Sequence, residues 1–217
     1  MHLPPGMVIF RPMFGVPLYR YHTVTSTNDV ALRLAEEGAP EGTLVLADEQ
    51  TEGRGRWGRS WHSPEGKGIW ASLILRPEGE VGGDLSSWIA LGIARALREV
   101  AGVEAEVKFP NDVTVGGRKL AGVLVERSTG AYIVGFGVNL LQRKEDFPPE
   151  LREVATSLFL ETGKDWDAED LLREILERIE EVYGRLRGSP RSGHRELRSS
   201  LRGFPQGEAH LEDDRPS

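Results

Sequence analysis

The spacing of apolar positions predicts three helices in this chain. The first is short; it begins near Ser26 and Asn28, whose side chains can cap a helix, and it ends before Gly38. The second covers 85–101 and the third covers 171–186, because their apolar residues recur every three or four positions along one face. All three helices are amphipathic, so each needs an apolar surface to pack against.

Continuous apolar runs predict strands between these helices. The runs are 43–47, 69–75, 104–109, 113–115, 118–126 and 131–139. Several neighbouring strands are close enough in the chain to form hairpins, and helices are interspersed among them. The predicted fold class is therefore α+β, with a mixed β-sheet packed with helices.

The Gly-Gly pair at 116–117 suits a tight hairpin turn between two of the strands. In the register that this turn sets, Thr114 faces Lys119. By the same register, Asp112 faces Ala121.

Composition limits the classes of protein that fit. The 217 residues are 39% hydrophobic and 28% charged, which is typical of a globular chain with its own core. A net charge of −7 repels polyanions, so we expect no nucleic-acid partner, and any phosphate must be held locally. No segment is apolar for long enough to be a signal peptide or membrane span, and there is no cysteine, so we expect a cytoplasmic protein without a membrane partner.

The polar stretch 49–68 is long for a loop inside a compact domain, and it contains Gly53-Arg54-Gly55-Arg56. In an extended backbone both arginines project to one side, where their guanidinium groups suit a phosphate or carboxylate. Trp61 adds flat apolar surface beside that charge. The segment thus fits a ligand with an apolar body and an anionic end, or else a disordered Arg-Gly segment that binds RNA.

A second group of polar residues surrounds the predicted hairpin. Lys108, Asn111 and Lys119 lie at strand ends that the hairpin brings together, where they can stabilise developing negative charge or serve as ordinary solvated side chains. Gly122 interrupts an apolar strand, which indicates a close approach of ligand or backbone, or tight packing. Asn139 ends the last strand and suits either a buried polar contact or a turn. The histidines show no metal-ligand spacing, and no metal site is predicted.

Four motifs occur in order along 20–185. They are Ser26-Thr27-Asn28, Gln50 through 53–56 to Trp61, 108–112 with 118–122, and 135–139. In this order and spacing they resemble the biotin protein ligases, also called biotin–acetyl-CoA-carboxylase ligases. The resemblance implies a fold similar to the catalytic cores of class II aminoacyl-tRNA synthetases. It also implies a two-step reaction in which biotin and Mg-ATP give biotinyl-5′-AMP and pyrophosphate, and a lysine of a biotin carboxyl carrier protein then attacks the mixed anhydride.

The resemblance also implies roles for particular residues. Biotin would contact Ser26, Thr27, Asn28, Gln50, Arg54, Gly55, Arg56, Trp61, Lys119 and Gly122. ATP would contact Arg56, Lys108, Asn111 and Asn139. The catalytic residues would be Arg56 and Lys119, which meet the carboxylate and the α-phosphate, with Asp112 as acceptor of the proton from the incoming lysine.

The predicted organisation is a catalytic domain over 1–183 and an atypical polar tail over 184–217, in place of the small β-rich domain common in the family. No helix-turn-helix domain precedes the core, so repressor activity is not expected, and the resemblance is compatible with a homodimer. Three other functions stay open: a lipoate–protein ligase, a biotin-binding module with impaired catalysis, and an RNA-binding protein.

Overall fold

A computed structural model describes residues 14–78, 81, 85–128 and 130–188 of the chain. Its strands are β1 (Leu18–Val24), β2 (Leu44–Gln50), β3 (Gly68–Leu75), β4 (Ala105–Lys108), β5 (Asp112–Val115), β6 (Arg118–Ser128) and β7 (Ala131–Asn139). Its α-helices are α1 (Thr27–Glu36), α2 (Leu85–Ala101), α3 (Leu158–Thr162) and α4 (Ala168–Gly188). Among the described residues, no helix has the length and apolarity needed to cross a membrane.

All of these strands join one seven-stranded sheet in the order β1-β2-β3-β7-β6-β5-β4. Only the β1–β2 pair is parallel, and the other neighbours in the described sheet run antiparallel. The mixed sheet and the α+β class are therefore confirmed.

Side chains that alternate along the strands create an apolar layer on each face of the sheet. Leu44 and Leu46 of β2 join the large core formed with α2 and α4, whereas Val45 between them packs in a second cluster with α1. Gly92 of α2 allows the close approach of α4, because a Cβ there would lie 3.1 Å from the carbonyl oxygen of Arg178. The sheet is thus covered by α2 and α4 on one face and by α1 on the other.

The predicted helix over 85–101 and strand over 131–139 are confirmed at both ends. Strand β1 was not predicted, because it directly follows a proline-rich N-terminal segment that ends at Pro17, and its own residues form no apolar run. Helix α4 continues to Gly188, so the predicted boundary between 183 and 184 falls inside a helix. The remaining predictions for the tail, 189–217, lie outside the described residues.

The predicted hairpin register is correct at one end and wrong at the other. Thr114 faces Lys119 as predicted, but Asp112 faces Gly122 rather than Ala121. The reason is a bulge: Leu120, which is fully buried, is an extra residue of β6 with no partner on β5. The bulge brings Lys119 and Gly122 to the same face of the sheet.

Candidate active site

An inner cavity lies between the start of α1, the segment 51–67 (the arginine loop) and strands β6 and β7. It is lined by Ser26, Thr27, Asn28, Gln50, Arg54, Gly55, Arg56, Trp61, Ala71, Asn111, Lys119, Gly122, Val123, Leu124, Gly135, Phe136 and Gly137. The structure therefore brings together all ten residues that were predicted to contact biotin, from positions almost a hundred residues apart. Their contacts with a ligand stay a prediction.

One wall of the inner cavity is polar because α1 starts there. The backbone N–H and hydroxyl of Thr27 both donate to Gln50 Oε1, at 2.9 and 3.1 Å, and Gln50 Nε2 donates to Ser63 Oγ at 2.8 Å. Ser26 caps the helix by accepting from the N–H of Asn28. The second Nε2 hydrogen of Gln50 and the Ser26 hydroxyl are suited to hold a polar ring at this wall.

The arginine loop folds back on itself as a short hairpin. Arg54 forms an antiparallel bridge with Ser60, and backbone hydrogen bonds of 2.8 and 2.7 Å flank this pair on both sides. In such a pair the N–H and C=O of Arg54 point away from the partner strand. The N–H and C=O of Arg54 thus take no part in the hydrogen bonds of this hairpin, and Arg54 itself lines the inner cavity.

Glycines provide the space that two side chains of the site occupy. A Cβ on Gly137 would overlap the Trp61 indole, and one on Gly122 would lie 3.0 Å from the same ring and from Lys119 Cε. On Gly135 a Cβ would overlap the amide of Asn28. These glycines allow the Trp61 ring and the Asn28 amide to lie directly on the sheet.

Arg54 and Arg56 both line the inner cavity, and Gly55 between them is extended. The side chain of Arg54 also has protein partners. Its Nη2 contacts Asp29 Oδ1 at 2.7 Å and Glu126 Oε2 at 3.4 Å, and its hydrogen bond lowers the pKa of Asp29. Asn28 Nδ2 donates to the same Glu126 oxygen at 2.5 Å. Both side chains therefore have protein partners.

A larger outer cavity joins the inner one. It is lined by Gly55, Arg56, Trp57, Arg59, Ser60, Trp61, His62, Lys108, Phe109, Pro110, Asn111, Asp112, Thr114, Gly117, Lys119, Asn139, Phe147, Leu151, Val154 and Ala155. The four residues predicted to contact ATP are among them. Arg56 and Lys119 line both cavities and thus stand at their junction.

Neighbouring side chains hold the two junction cations. Asn111 donates to the carbonyl oxygen of Val123 at 2.9 Å and accepts from Arg56 Nη1 at 3.4 Å. Lys119 Nζ lies 2.7 Å from Asp112 Oδ1 and 5.0 Å from the centre of the Trp61 ring. The junction therefore offers two cations and one carboxylate within a partly buried site.

Asn139 lines the outer cavity, but its amide already has protein partners. It is 4% exposed; its Nδ2 donates to the Thr156 carbonyl oxygen at 2.9 Å, and its Oδ1 accepts from Gln142 at 3.0 Å. This arrangement favours a role in shaping the cavity. Ser63, Glu126 and Asp29 belong to the site region and were not predicted, because their partners are distant in the chain and no local pattern marks them.

Comparison with known proteins agrees with this arrangement. A sequence model of the biotin/lipoate A/B protein ligase family matches residues 21–140. The bifunctional ligase/repressor BirA of Bacillus subtilis is 42% identical over 178 residues, which are 79% of this chain and 55% of that protein. The biotin–[acetyl-CoA-carboxylase] ligase of Paracoccus denitrificans is 44% identical over 124 residues, or 53% of this chain and 51% of that protein.

Among solved structures, the biotin protein ligase from Aquifex aeolicus in complex with biotin and ATP is similar with a TM-score of 0.74. It is 37% identical and the similarity covers 85% of this chain and 76% of that chain. The chain spans about half the length of the curated relatives it matches. On the match to the family model, which covers more than half of its residues, this chain belongs to the biotin/lipoate A/B protein ligase family.

Proposed function

We propose that this chain is an ATP-dependent biotin protein ligase, which forms biotinyl-5′-AMP and transfers biotin to a lysine of a biotin carboxyl carrier protein. The observation that carries the proposal is the pair of cations, Arg56 and Lys119, at the junction of the two cavities. The inner cavity suits the bicyclic head of biotin and its apolar chain. The outer cavity, with Lys108 and Arg59 on its lining, suits a nucleotide triphosphate.

In the first step an oxygen of the biotin carboxylate attacks the α-phosphorus of ATP. The new O–P bond forms as the bond to pyrophosphate breaks, and pyrophosphate leaves with the electron pair. Two anions must approach each other, so their repulsion raises the barrier. Arg56 and Lys119 offset it by holding positive charge at the junction, where partial burial makes that charge more effective than in water.

In the second step the amine of the carrier lysine attacks the acyl carbon. The amide bond forms, the C–O bond to AMP breaks, and the amine loses a proton. Asp112 is the candidate acceptor, since it lines the outer cavity beside Lys119 and has a second carboxylate oxygen besides the one that contacts Lys119 Nζ. The Trp61 ring would cover the apolar chain and exclude water from the anhydride.

Mg²⁺ enters this proposal with the nucleotide. Among the described residues, no three His, Cys, Asp or Glu side chains are grouped to hold a metal, and Asp112 is the one carboxylate on the outer cavity's described lining. This donor set fits an ion bound through one carboxylate and substrate phosphates, as is common for Mg²⁺. When bound, the ion neutralises phosphate charge.

The names of the relatives favour biotin over lipoate as the substrate. A homodimer stays a prediction. The test measures exchange of labelled pyrophosphate into ATP by the purified chain, with biotin, with lipoate and with neither. The proposal requires exchange that depends on biotin. Exchange with lipoate alone supports a lipoate ligase, and biotin binding without exchange supports a module without catalysis.

A further inference from the structure

The arginine loop needs contacts with the body of the protein to stay closed over the inner cavity. At its base, backbone N–H groups of Thr51 and Glu52 donate to the carbonyl oxygens of Val24 and Thr25, at 2.9 and 2.8 Å. Beyond that base, Arg54 provides charged contacts that reach both α1 and β6. These contacts join the loop to two elements whose residues line the cavity.

The Arg54 ion cluster, which we define as Arg54, Asp29 and Glu126, combines one positive charge with two negative charges. One guanidinium contacts two carboxylates, and all three side chains are about one-third exposed. Glu126 also accepts the amide of Asn28, and Asp29 accepts from the Thr25 hydroxyl at 3.1 Å. The two carboxylates are therefore held in position independently of the loop. Arg54 is the member of the cluster that belongs to the loop.

The side chain and the backbone of Arg54 belong to the same part of the loop. The guanidinium contacts Asp29 and Glu126, and the N–H and C=O of the same residue lie outside the hairpin ladder at the inner cavity. A change in the side-chain contacts would thus shift the loop and its backbone together. The carboxylates act on the site through Arg54 and would not touch the reacting atoms.

We propose that Asp29 and Glu126 are positioning residues that hold the arginine loop closed through Arg54, and so retain the acyl-adenylate until the carrier lysine arrives. The retention part of this inference rests on the proposed function, whereas the closure part does not. If the loop opens early, water attacks the acyl carbon and the products are biotin and AMP, so ATP is consumed without transfer.

Limited trypsin digestion tests closure without requiring turnover. Trypsin can cut after Arg54 only when that side chain leaves Asp29 and Glu126, whereas Arg59 is already exposed. Mass spectrometry resolves the cut after Arg54, which we call loop cleavage, from cuts elsewhere. D29N and E126Q remove one charge each, while the new amide oxygen in E126Q can still accept from Asn28. Because partly exposed ion pairs contribute up to about 1 kcal/mol, we expect loop cleavage to be up to about fivefold faster in each variant. The same variants should release more adenylate or free AMP per biotin transferred.

The control is E169Q, which breaks a contact of similar kind between Arg20 and Glu169, 2.6 Å apart, far along the chain from the loop. It should leave loop cleavage and transfer unchanged. Loop cleavage of the unaltered chain should also rise between low salt and 1 M NaCl, relative to a peptide substrate, since salt screens ion pairs. Because the salt experiment uses the unaltered chain, it tests the closure even if a variant fails to fold.

Unchanged loop cleavage in D29N and E126Q, together with no effect of salt, would overturn the closure. If loop cleavage is faster but the ratio of released adenylate or AMP to transferred biotin is unchanged, the closure holds and only the retention of the adenylate is overturned. If the unaltered chain gives no biotin-dependent pyrophosphate exchange, the proposed function fails, and the digestion still decides whether the cluster closes the loop.

Discussion

Gly137 should be a position where a single methyl group weakens biotin binding. Its backbone is that of strand β7, so alanine is not excluded by conformation. An alanine Cβ would, however, lie 2.8 Å from Trp61 Cζ2 and closer still to two other ring atoms, where ordinary contact begins at 3.4 Å. The ring must withdraw by at least 0.6 Å at Cζ2 (3.4 minus 2.8 Å). Trp70 stands edge-on to it, with centroids 6.5 Å apart, and limits that movement.

Overpacking of this kind costs about 1–3 kcal/mol, and the free protein relieves it by moving the ring. If biotin requires the ring in its original place, binding must supply that cost, so G137A should bind biotin roughly five- to 150-fold more weakly than the unaltered chain. Calorimetric titration with biotin measures the difference. The matched control is G184A in α4, where an added Cβ meets nothing within 4 Å. This variant should bind biotin as the unaltered chain does, and its free energy of unfolding should be equal or slightly greater. Binding by G137A within twofold of the unaltered chain, in a folded protein, would refute the assigned role of Trp61.

Three further predictions concern other parts of the site. R56A and K119A should each slow biotin-dependent pyrophosphate exchange at least about tenfold, or roughly 1.4 kcal/mol of barrier, because each removes a cation at the junction; unchanged rates would exclude these roles. N139A should lower the free energy of unfolding in urea by about 1–3 kcal/mol, because it leaves buried groups without partners; a loss of ATP binding at unchanged stability would favour direct contact with the nucleotide instead. Arg54 lowers the pKa of Asp29 in the folded state, so this group stabilises the protein above its unfolded pKa, near 4, and the stabilisation is lost as pH falls through the folded pKa. The stability difference between the unaltered chain and D29N should therefore shrink below about pH 4, and a difference that grows in acid would contradict the ion pair.

The elements that were predictable from the sequence are those whose burial follows a regular period. Helix α2 and strand β7 are buried along most of their length, so their apolar spacing marks both ends. Strand β1 lies at an edge of the sheet, where exposed and partly buried side chains alternate and polar residues are frequent. Its pairing with β2, rather than its own pattern, makes it a strand.

The register of the β5–β6 hairpin was predictable only near its turn. A Gly-Gly turn sets the first pair, but a bulge at Leu120 depends on how that side chain fits the core. That fit involves α2 and other elements distant in the chain. The consequence is chemical, because the bulge brings Lys119 over Gly122.

Candidate site residues could be named from motifs, but their partners could not. Nothing in the sequence near Arg54 indicates Asp29 or Glu126, which lie 25 residues before it and 72 residues after it. The amides of Asn28 and Asn139 are occupied by groups that only the folded chain brings near. Motifs thus predict where a ligand binds, and long-range contacts decide which side chains are free to bind it.

The most direct test of the proposed ligase activity combines the purified chain with biotin, Mg-ATP and a biotin carboxyl carrier domain. Mass spectrometry would then follow biotinyl-5′-AMP and the carrier in one experiment. We expect biotinyl-5′-AMP before the carrier is added and biotin on a single carrier lysine afterwards, with none on a carrier whose acceptor lysine is replaced by arginine. Absence of the adenylate under conditions where biotin binds would contradict the proposed ligase activity.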